Sequence, residues 1–335
     1  METLKLEREH VGELKRIWKV CFGDSDAFID SWFSNRFDKS YALGVIDGGV
    51  LAAAGYLVPY NVSVRGRSIP CRFLTALATL PEYRGRGLAG VFLKKAPAVI
   101  KGCGSHIAML HSAVEPAFYE KYGWTITAGF KWYEPQAGQG IAEQLDWQKH
   151  LPGMNRCYHR YMAGYSGYTL RGEYEWRCKR ADYEAEGHSG AVYMENGEVR
   201  GYMLFTTKPL EAYDFCFENS AASGALAAYA PGVKHRLPSQ SGQLHMTLPV
   251  DLSKLANGLN AGKGDVRLRL PAGGVRLWSE GGVLRFEKCD EAKEQCSEAE
   301  LLEYIMGVPT CRLYQRGDEY AKLLPPVTNF GMDLF

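Results

Sequence analysis

The sequence predicts a mixed α/β (α+β) protein built from more than one domain, and three observations carry that expectation. An apolar run, Phe73-Leu74-Thr75-Ala76-Leu77-Ala78-Thr79, passes through a glycine-rich turn at residues 80–90 into Val91-Phe92-Leu93-Lys94-Lys95-Ala96, which has helical character. Two amphipathic helical stretches and several strand-like segments precede it. Towards the other end, Val266 to Leu270, Gly274 to Ser279 and Gly282 to Cys289 alternate polar and apolar residues as antiparallel strands do. With 335 residues the chain is long enough for two or three domains.

Taken in order, residues from Leu4 to about Phe37 read as two helices, the first around Val11 to Phe22, where apolar residues recur at spacings of three and four. Gly23-Asp24-Ser25-Asp26 is a turn that also offers an N-cap to the second helix. Tyr41 to Ile46 and Val50 to Val58 are strand-like and joined by Asp47-Gly48-Gly49, a hairpin signal; a further strand is expected around Asn61 to Val64, before the turn Arg65-Gly66-Arg67-Ser68. Ser105 to His111 is expected as a strand, and Glu115 to Trp124 as a short helix stopped by Gly123. The connector 135–140, with its glycines and glutamines, marks a boundary. Beyond it, Tyr174 to Ala185 looks helical, Gly190 to Phe205 is a hairpin with an Asn196-Gly197 turn, and a strand around Ala212 to Phe217 leads to a helix around Ala221 to Tyr229. From Leu244 the pattern changes: a short helix at Leu252 to Leu259 precedes the three alternating strands, and Glu298 to Met306 is an amphipathic helix that Ser297 can cap. The expected domains are 1–134, 135–238 and 239–335.

The turn at residues 80–90 carries chemistry. A helix start presents unpaired backbone N–H groups and the positive end of its dipole, which suits a phosphate. Gly85 and Gly87 let backbone approach a bulky anion, and Arg84 and Arg86 add charged donors. The Gly-Lys-Ser/Thr ending of a P-loop is absent, as are the three spaced glycines of the dinucleotide fingerprint. An ordinary basic turn is the bland alternative.

Bulk properties narrow the classes. Hydrophobic residues make up 46% and charged residues 23% of the chain, as in an ordinary globular protein, and 39 Lys plus Arg against 38 Asp plus Glu leave no basic field for nucleic acid. The apolar stretches are too short to span a bilayer, and the first residues lack the layout of a signal peptide. The nine cysteines contain no Cys-x-x-Cys pair and no zinc-knuckle spacing, so reduced thiols in a cytoplasm, and no metal, are expected.

Arg84-x-x-Gly87-x-Ala89 after a strand resembles the pyrophosphate loop of the GNAT acetyltransferases, and Phe118-Tyr119-Glu120-Lys121-Tyr122-Gly123-Trp124 resembles the "Tyr-x-x-aromatic-Gly-aromatic" ending of their catalytic unit. A complete GNAT unit, a second one without a cofactor loop and a strand-rich C-terminal unit together resemble the Eis (enhanced intracellular survival) acetyltransferases, which join two GNAT-type domains to a sterol-carrier-protein-like domain. The resemblance implies acetyl-CoA as co-substrate, with Leu77, Ala78 and Thr79 pairing with the pantetheine arm and Arg84, Gly85, Arg86, Gly87, Leu88 and Ala89 holding the pyrophosphate. It implies Tyr119 as the acid that protonates the departing thiolate, and the terminal carboxylate of Phe335 as the base. Asp24 and Trp32 fall where the family builds its acceptor cleft, and an acid beside an aromatic ring suits a cationic amine.

For each residue a structural role stays open: Tyr119 as a core aromatic, Phe335 as a hydrophobic anchor, Asp24 as a helix cap and Trp32 as core. Tyr122 reads as packing. The expected reaction is direct acetyl transfer to a primary amine of a small molecule or peptide, without a covalent enzyme intermediate, since neither Cys71 nor Cys103 has an evident activating histidine. Two alternatives are a non-catalytic acyl-CoA or lipid sensor on the same scaffold, and aminoacyl or peptidoglycan-building transfer. No nucleic acid or membrane partner is expected, and a homo-oligomer is allowed.

Overall fold

The structure, a computed structural model, describes residues 1–112, 114–239, 241–292 and 294–331. In chain order the first part comprises β1 (Glu2–Leu6), α1 (Val11–Phe22), α2 (Asp26–Arg36), β2 (Tyr41–Asp47), β3 (Val50–Val64), β4 (Arg67–Thr79), α3 (Leu88–Gly102), β5 (Ile107–His111), α4 (Ala117–Glu120) and β6 (Thr125–Tyr133). The middle comprises β7 (Glu143–Gln144), α5 (Trp147–Met162), β8 (Tyr168–Thr169), α6 (Glu173–Ala185), β9 (Ser189–Glu195), β10 (Glu198–Thr207), β11 (Leu210–Phe217), α7 (Ser220–Tyr229) and β12 (Lys234–Pro238). The remainder is β13 (Gln243–Pro249), α8 (Leu252–Ala256), β14 (Asp265–Leu270), β15 (Gly273–Glu280), β16 (Val283–Lys288), β17 (Glu294–Gln295), α9 (Glu298–Met306) and α10 (Asp318–Leu323). The mixed α/β class expected from sequence is the class observed.

Local signals explain most boundaries. Gly23 ends α1 in the left-handed region, and the Ser25 hydroxyl accepts the Phe28 N–H at 3.0 Å to start α2. Gly48 and Gly49, both at positive φ, form the β2–β3 turn. Ser297 and Glu300 close a capping box on α9.

Several expectations change. Residues 2–6 form an edge strand paired with β2, not part of a helix. The two strands expected at 50–58 and 61–64 are one, running straight through Pro59. On its outer side β3 pairs with β2 as far as Leu57 and with β8 from Val62, so Pro59 sits in a stretch with no neighbour there and its missing N–H is tolerated.

One long sheet runs β1-β2-β3-β4-β5-β13-β6-β12-β11-β10-β9-β7 with β8 beside β3, and the C-terminal unit contributes a separate sheet β16-β15-β14-β17. The middle of the chain repeats the beginning. Two helices, an antiparallel three-strand meander, a helix and a strand parallel to the last of the meander occur as α1, α2, β2–β4, α3, β5 and again as α5, α6, β9–β11, α7, β12.

The strand that ends each half crosses into the other. β6 pairs with β12, β13 pairs with β5, and the two lie side by side at the centre, where the buried Thr127 and Thr247 hydroxyls share a hydrogen bond of 2.7 Å. One apolar cluster packs α1, α2 and the C-terminal unit on one face of this sheet, and another packs α3 on the opposite face.

Candidate active site

The β4 edge facing β5 is open where the chemistry is expected. β4 and β5 run parallel and pair only from Cys71–Ile107 to Phe73–Met109, after which they separate. Leu74 to Thr79 therefore have a strand neighbour only in β3. A bulge bends β4 there, with Ala76 at φ +48°.

At the end of this edge, Pro81–Tyr83 form a 3-10 turn, Gly85 and Gly87 take φ +77° and +78°, and α3 begins at Leu88. The first helical bond runs from the Val91 N–H to the Gly87 carbonyl at 3.1 Å, so the N–H groups before it point out of the helix end. Both glycines are open on the side where a Cβ would project. The Arg84 Nε donates to the Thr79 carbonyl at 3.2 Å, and Arg86 is held by Asp47 at 3.1 Å and over the Tyr83 ring at 4.7 Å. The loop sets two anchored guanidinium groups beside the open end of α3, an arrangement that suits an anion.

Tyr119 lies in α4, 8% exposed, in the cluster that also holds Leu74, Leu88 and Phe92. Its ring meets Phe118 at 5.1 Å and Trp124 at 6.3 Å, edge to face. Burial raises its hydroxyl above the usual tyrosine value and keeps it protonated. Tyr122 sits against Gly90 of α3, where a Cβ would meet its hydroxyl at 2.3 Å.

On the other face of the sheet a cleft of about 450 Å³ opens over Thr75 and Ala76. Trp18, Phe28 and Trp32 form its aromatic side, with Asp24 at the rim accepting the Trp18 indole N–H at 2.7 Å. The facing wall comes from the second half: Lys179, Asp182, Tyr183 and Glu186 on and after α6, then His188, Thr206 and Tyr213.

Residues 3–127 match the model of the acetyltransferase (GNAT) domain. The N-terminal unit is a GNAT acetyltransferase domain. Solved structures extend the likeness to the whole chain as fold. A conserved Enterococcus faecalis protein described as a "probable N-acyltransferase" superposes with TM-score 0.85 at 16% identity, over 100% of this chain and 99% of its own. A GCN5-related N-acetyltransferase from Anabaena variabilis gives 0.82 at 15%, over 100% of both chains. Eis1 from Mycobacterium abscessus gives 0.72 at 16%, again over 100% of both. No curated protein sequence matches.

Within the GNAT domain Leu77, Ala78 and Thr79 end β4 and residues 84–89 follow in the loop and the start of α3, while Tyr119 belongs to the apolar cluster that also holds Leu74 and Leu88. Asp24 and Trp32 both line the cleft on the opposite face, Asp24 as an indole acceptor and Trp32 1% exposed, its ring tilted against those of Trp18 and Tyr56. Ser25, not Asp24, caps α2. Phe335 lies outside the described residues. The segment before it is docked, since Phe330 donates to the Ser166 carbonyl and packs on Tyr165, and Gly331 lies beside His245.

The cleft's charges are arranged in three ways, the first being Lys179, whose ammonium lies 3.5 Å from the buried Asp214. Arg36 and Asp182 form a two-bond ion pair at 2.8 and 2.5 Å across the two halves. Burial opposes the Arg36 charge, but Asp182 outweighs it and holds the guanidinium above its ordinary value. Asp24 and Glu186, by contrast, have no ion pair among the described residues; Glu186 bonds the Ser25 hydroxyl across the cleft mouth.

Sequence reasoning missed the whole second wall. The helix around α6 was expected, but nothing in one sequence shows that its Asp182 and Glu186 face the first half. The second half itself has no matching arginine loop: only Glu218 and Asn219 separate β11 from α7, and the Asn219 side chain fills the helix end by accepting the Ala222 N–H at 2.8 Å.

Proposed function

We propose that the protein is an acetyl-CoA-dependent N-acetyltransferase that moves an acetyl group directly to a primary amine seated in the 450 Å³ cleft. The observation that carries this reading is the open β4 edge at Leu74 to Thr79, which meets the arginine loop at one end and the cleft at Thr75 and Ala76. A pantetheine arm adds to an open strand edge as a strand would, through backbone hydrogen bonds. Its pyrophosphate then falls on the N-terminus of α3 and on Arg84 and Arg86.

The thioester reaches the point where β4 and β5 separate. The amine approaches from the face of Asp24 and Glu186, whose carboxylates attract its ammonium form, and Tyr119 donates a proton to the leaving thiolate. The nitrogen–carbon bond forms as the carbon–sulfur bond breaks, and the amine loses one proton. The second half supplies the facing wall of the acceptor site and no cofactor. The C-terminal sheet with α9 and α10 is read as the sterol-carrier-like unit of the Eis resemblance, and as a brace for the first sheet.

Acetyl-CoA binding by calorimetry and thiol release across a panel of amines test the reading. Micromolar or tighter binding with amine-dependent thiol release is the expected result. Failure to bind acetyl-CoA would overturn it, and binding without release for any amine would favour a sensor.

A further inference from the structure

Gly90 lies in the first turn of α3, one residue past the loop positions Arg84, Gly87 and Ala89. Its φ is not positive, so the backbone there accepts any residue, and glycine is a poorer helix former than alanine. What requires glycine is a neighbour. The Tyr122 hydroxyl fills the space where a side chain would begin, and the ring carbon that bears it lies 3.2 Å from that point.

Helix geometry says where that space is. Cα–Cβ bonds tilt towards the N-terminus of a helix, so the hydroxyl lies on the N-terminal side of Gly90, over the first turn of α3. The first bond inside the helix runs from the Val91 N–H to the Gly87 carbonyl, which leaves the N–H groups of Leu88, Ala89 and Gly90 without a helical acceptor at the same end.

Tyr122 is held in place by its own turn. Its N–H donates to the Tyr119 carbonyl at 2.9 Å, Gly123 follows at φ +86°, and the ring meets Phe118 edge to face at 5.9 Å. The side chain is half-buried, yet its oxygen is not enclosed and makes no hydrogen bond to protein among the described residues. Packing alone would be served by phenylalanine. The hydroxyl is the atom that most closely excludes a side chain from residue 90.

We propose that Tyr122 is a binding residue for the co-substrate, its hydroxyl donating to a pyrophosphate oxygen of acetyl-CoA beside the free N–H groups of α3. This rests on the acetyltransferase reading above. Gly90 is then a positioning residue, since only a missing Cβ admits the hydroxyl to the helix end. One short turn serves both ends of the co-substrate: Tyr119 the thiolate, and Tyr122, three residues on, the phosphates.

The test titrates the full chain with acetyl-CoA by calorimetry and compares acetyl-CoA with S-acetylpantetheine, which has the thioester arm without the pyrophosphate, as acyl donor. Y122F keeps the ring and should weaken acetyl-CoA about tenfold, the size of one hydrogen bond to a charged acceptor. The loss should appear in KM for acetyl-CoA and not in kcat, with the thermal midpoint near wild type. No comparable loss is expected with S-acetylpantetheine. Gly90→Ala, whose methyl takes the place of the hydroxyl, should also weaken acetyl-CoA, and the same change made in Y122F should add clearly less.

Wild-type affinity in Y122F would overturn the proposal and leave Tyr122 as packing. An equal loss with S-acetylpantetheine would overturn it too, by moving the contact to the arm. Should Y122F fold poorly, Gly90→Ala decides, and wild-type affinity there overturns the proposal. If the wild type fails to bind acetyl-CoA, the acetyltransferase reading falls and takes this proposal with it. Wild-type binding with an unaffected Y122F sinks this proposal alone.

Discussion

Gly87 adopts φ +78° at the cap of α3 with open space where a side chain would project, so a substitution there acts through the backbone. Gly87→Val should cost about 1–2 kcal/mol of stability from the left-handed conformation alone. By displacing the loop it should also weaken acetyl-CoA binding at least tenfold, read by calorimetry; equal affinity would remove the pyrophosphate from this loop. Tyr119 answers to a different measurement. Tyr119→Phe keeps the ring in its cluster and removes the acid, so thiol release should fall about tenfold or more, or about 1.4 kcal/mol in the barrier, with acetyl-CoA affinity held. Unchanged turnover would return Tyr119 to a packing role. These residues were legible in the sequence because the loop and the α4 motif are contiguous. Asp182 and Glu186 were not, since their meaning depends on which way α6 and the turn after it face.

At the scale of elements, the exchange of β6 and β13 decides how the two halves are joined. Thr127 and Thr247 lie at its centre, 3% and 0% exposed, each the other's hydroxyl partner. Thr127→Val or Thr247→Val alone leaves a buried hydroxyl unpaired and should cost about 1–3 kcal/mol, whereas the double variant should cost clearly less than the sum. Additive losses in denaturant unfolding would mean that the pair is not coupled.

The exchange was hidden from sequence because a seven-residue alternating strand at Gln243–Pro249 does not specify its neighbours. α5 was missed for a local reason. Pro152 and Gly153 read as breakers, yet Gly153 is required where the helix meets β10, since a Cβ would lie 2.5 Å from a Val199 methyl. The hairpins at Asp47-Gly48-Gly49 and Asn196-Gly197 were legible because their turns need positive φ, which those residues supply.

At the scale of the whole molecule, the second half works as a wall and stores its charges internally. Asp214, fully buried, is bonded by Arg171 and Tyr202, with Lys179 at 3.5 Å. Burial alone would raise its carboxyl, but Arg171 first and Lys179 next bring it well below the usual range, so this network stays charged through any ordinary acidification. Acid sensitivity is expected at His106, His111, His188 and His235, whose values burial lowers.

His235, 3% exposed and stacked on Phe215 at 4.4 Å, is pushed down by burial to about 4 from the ordinary 6.5. Between those two values the unfolded chain binds the proton and the folded one does not, so stability falls as pH drops through that window. The difference corresponds to about 3 kcal/mol at full protonation of the unfolded state, at about 1.4 kcal/mol per pH unit. Thermal midpoints should therefore decline from pH 6.5 towards pH 4, and His235→Gln should flatten the decline while lowering the midpoint at pH 8. A wild type with level stability over that range would show that His235 reaches solvent in the native state. A variant with the same slope as wild type would assign the decline to His106, His111 and His188, whose values burial also lowers.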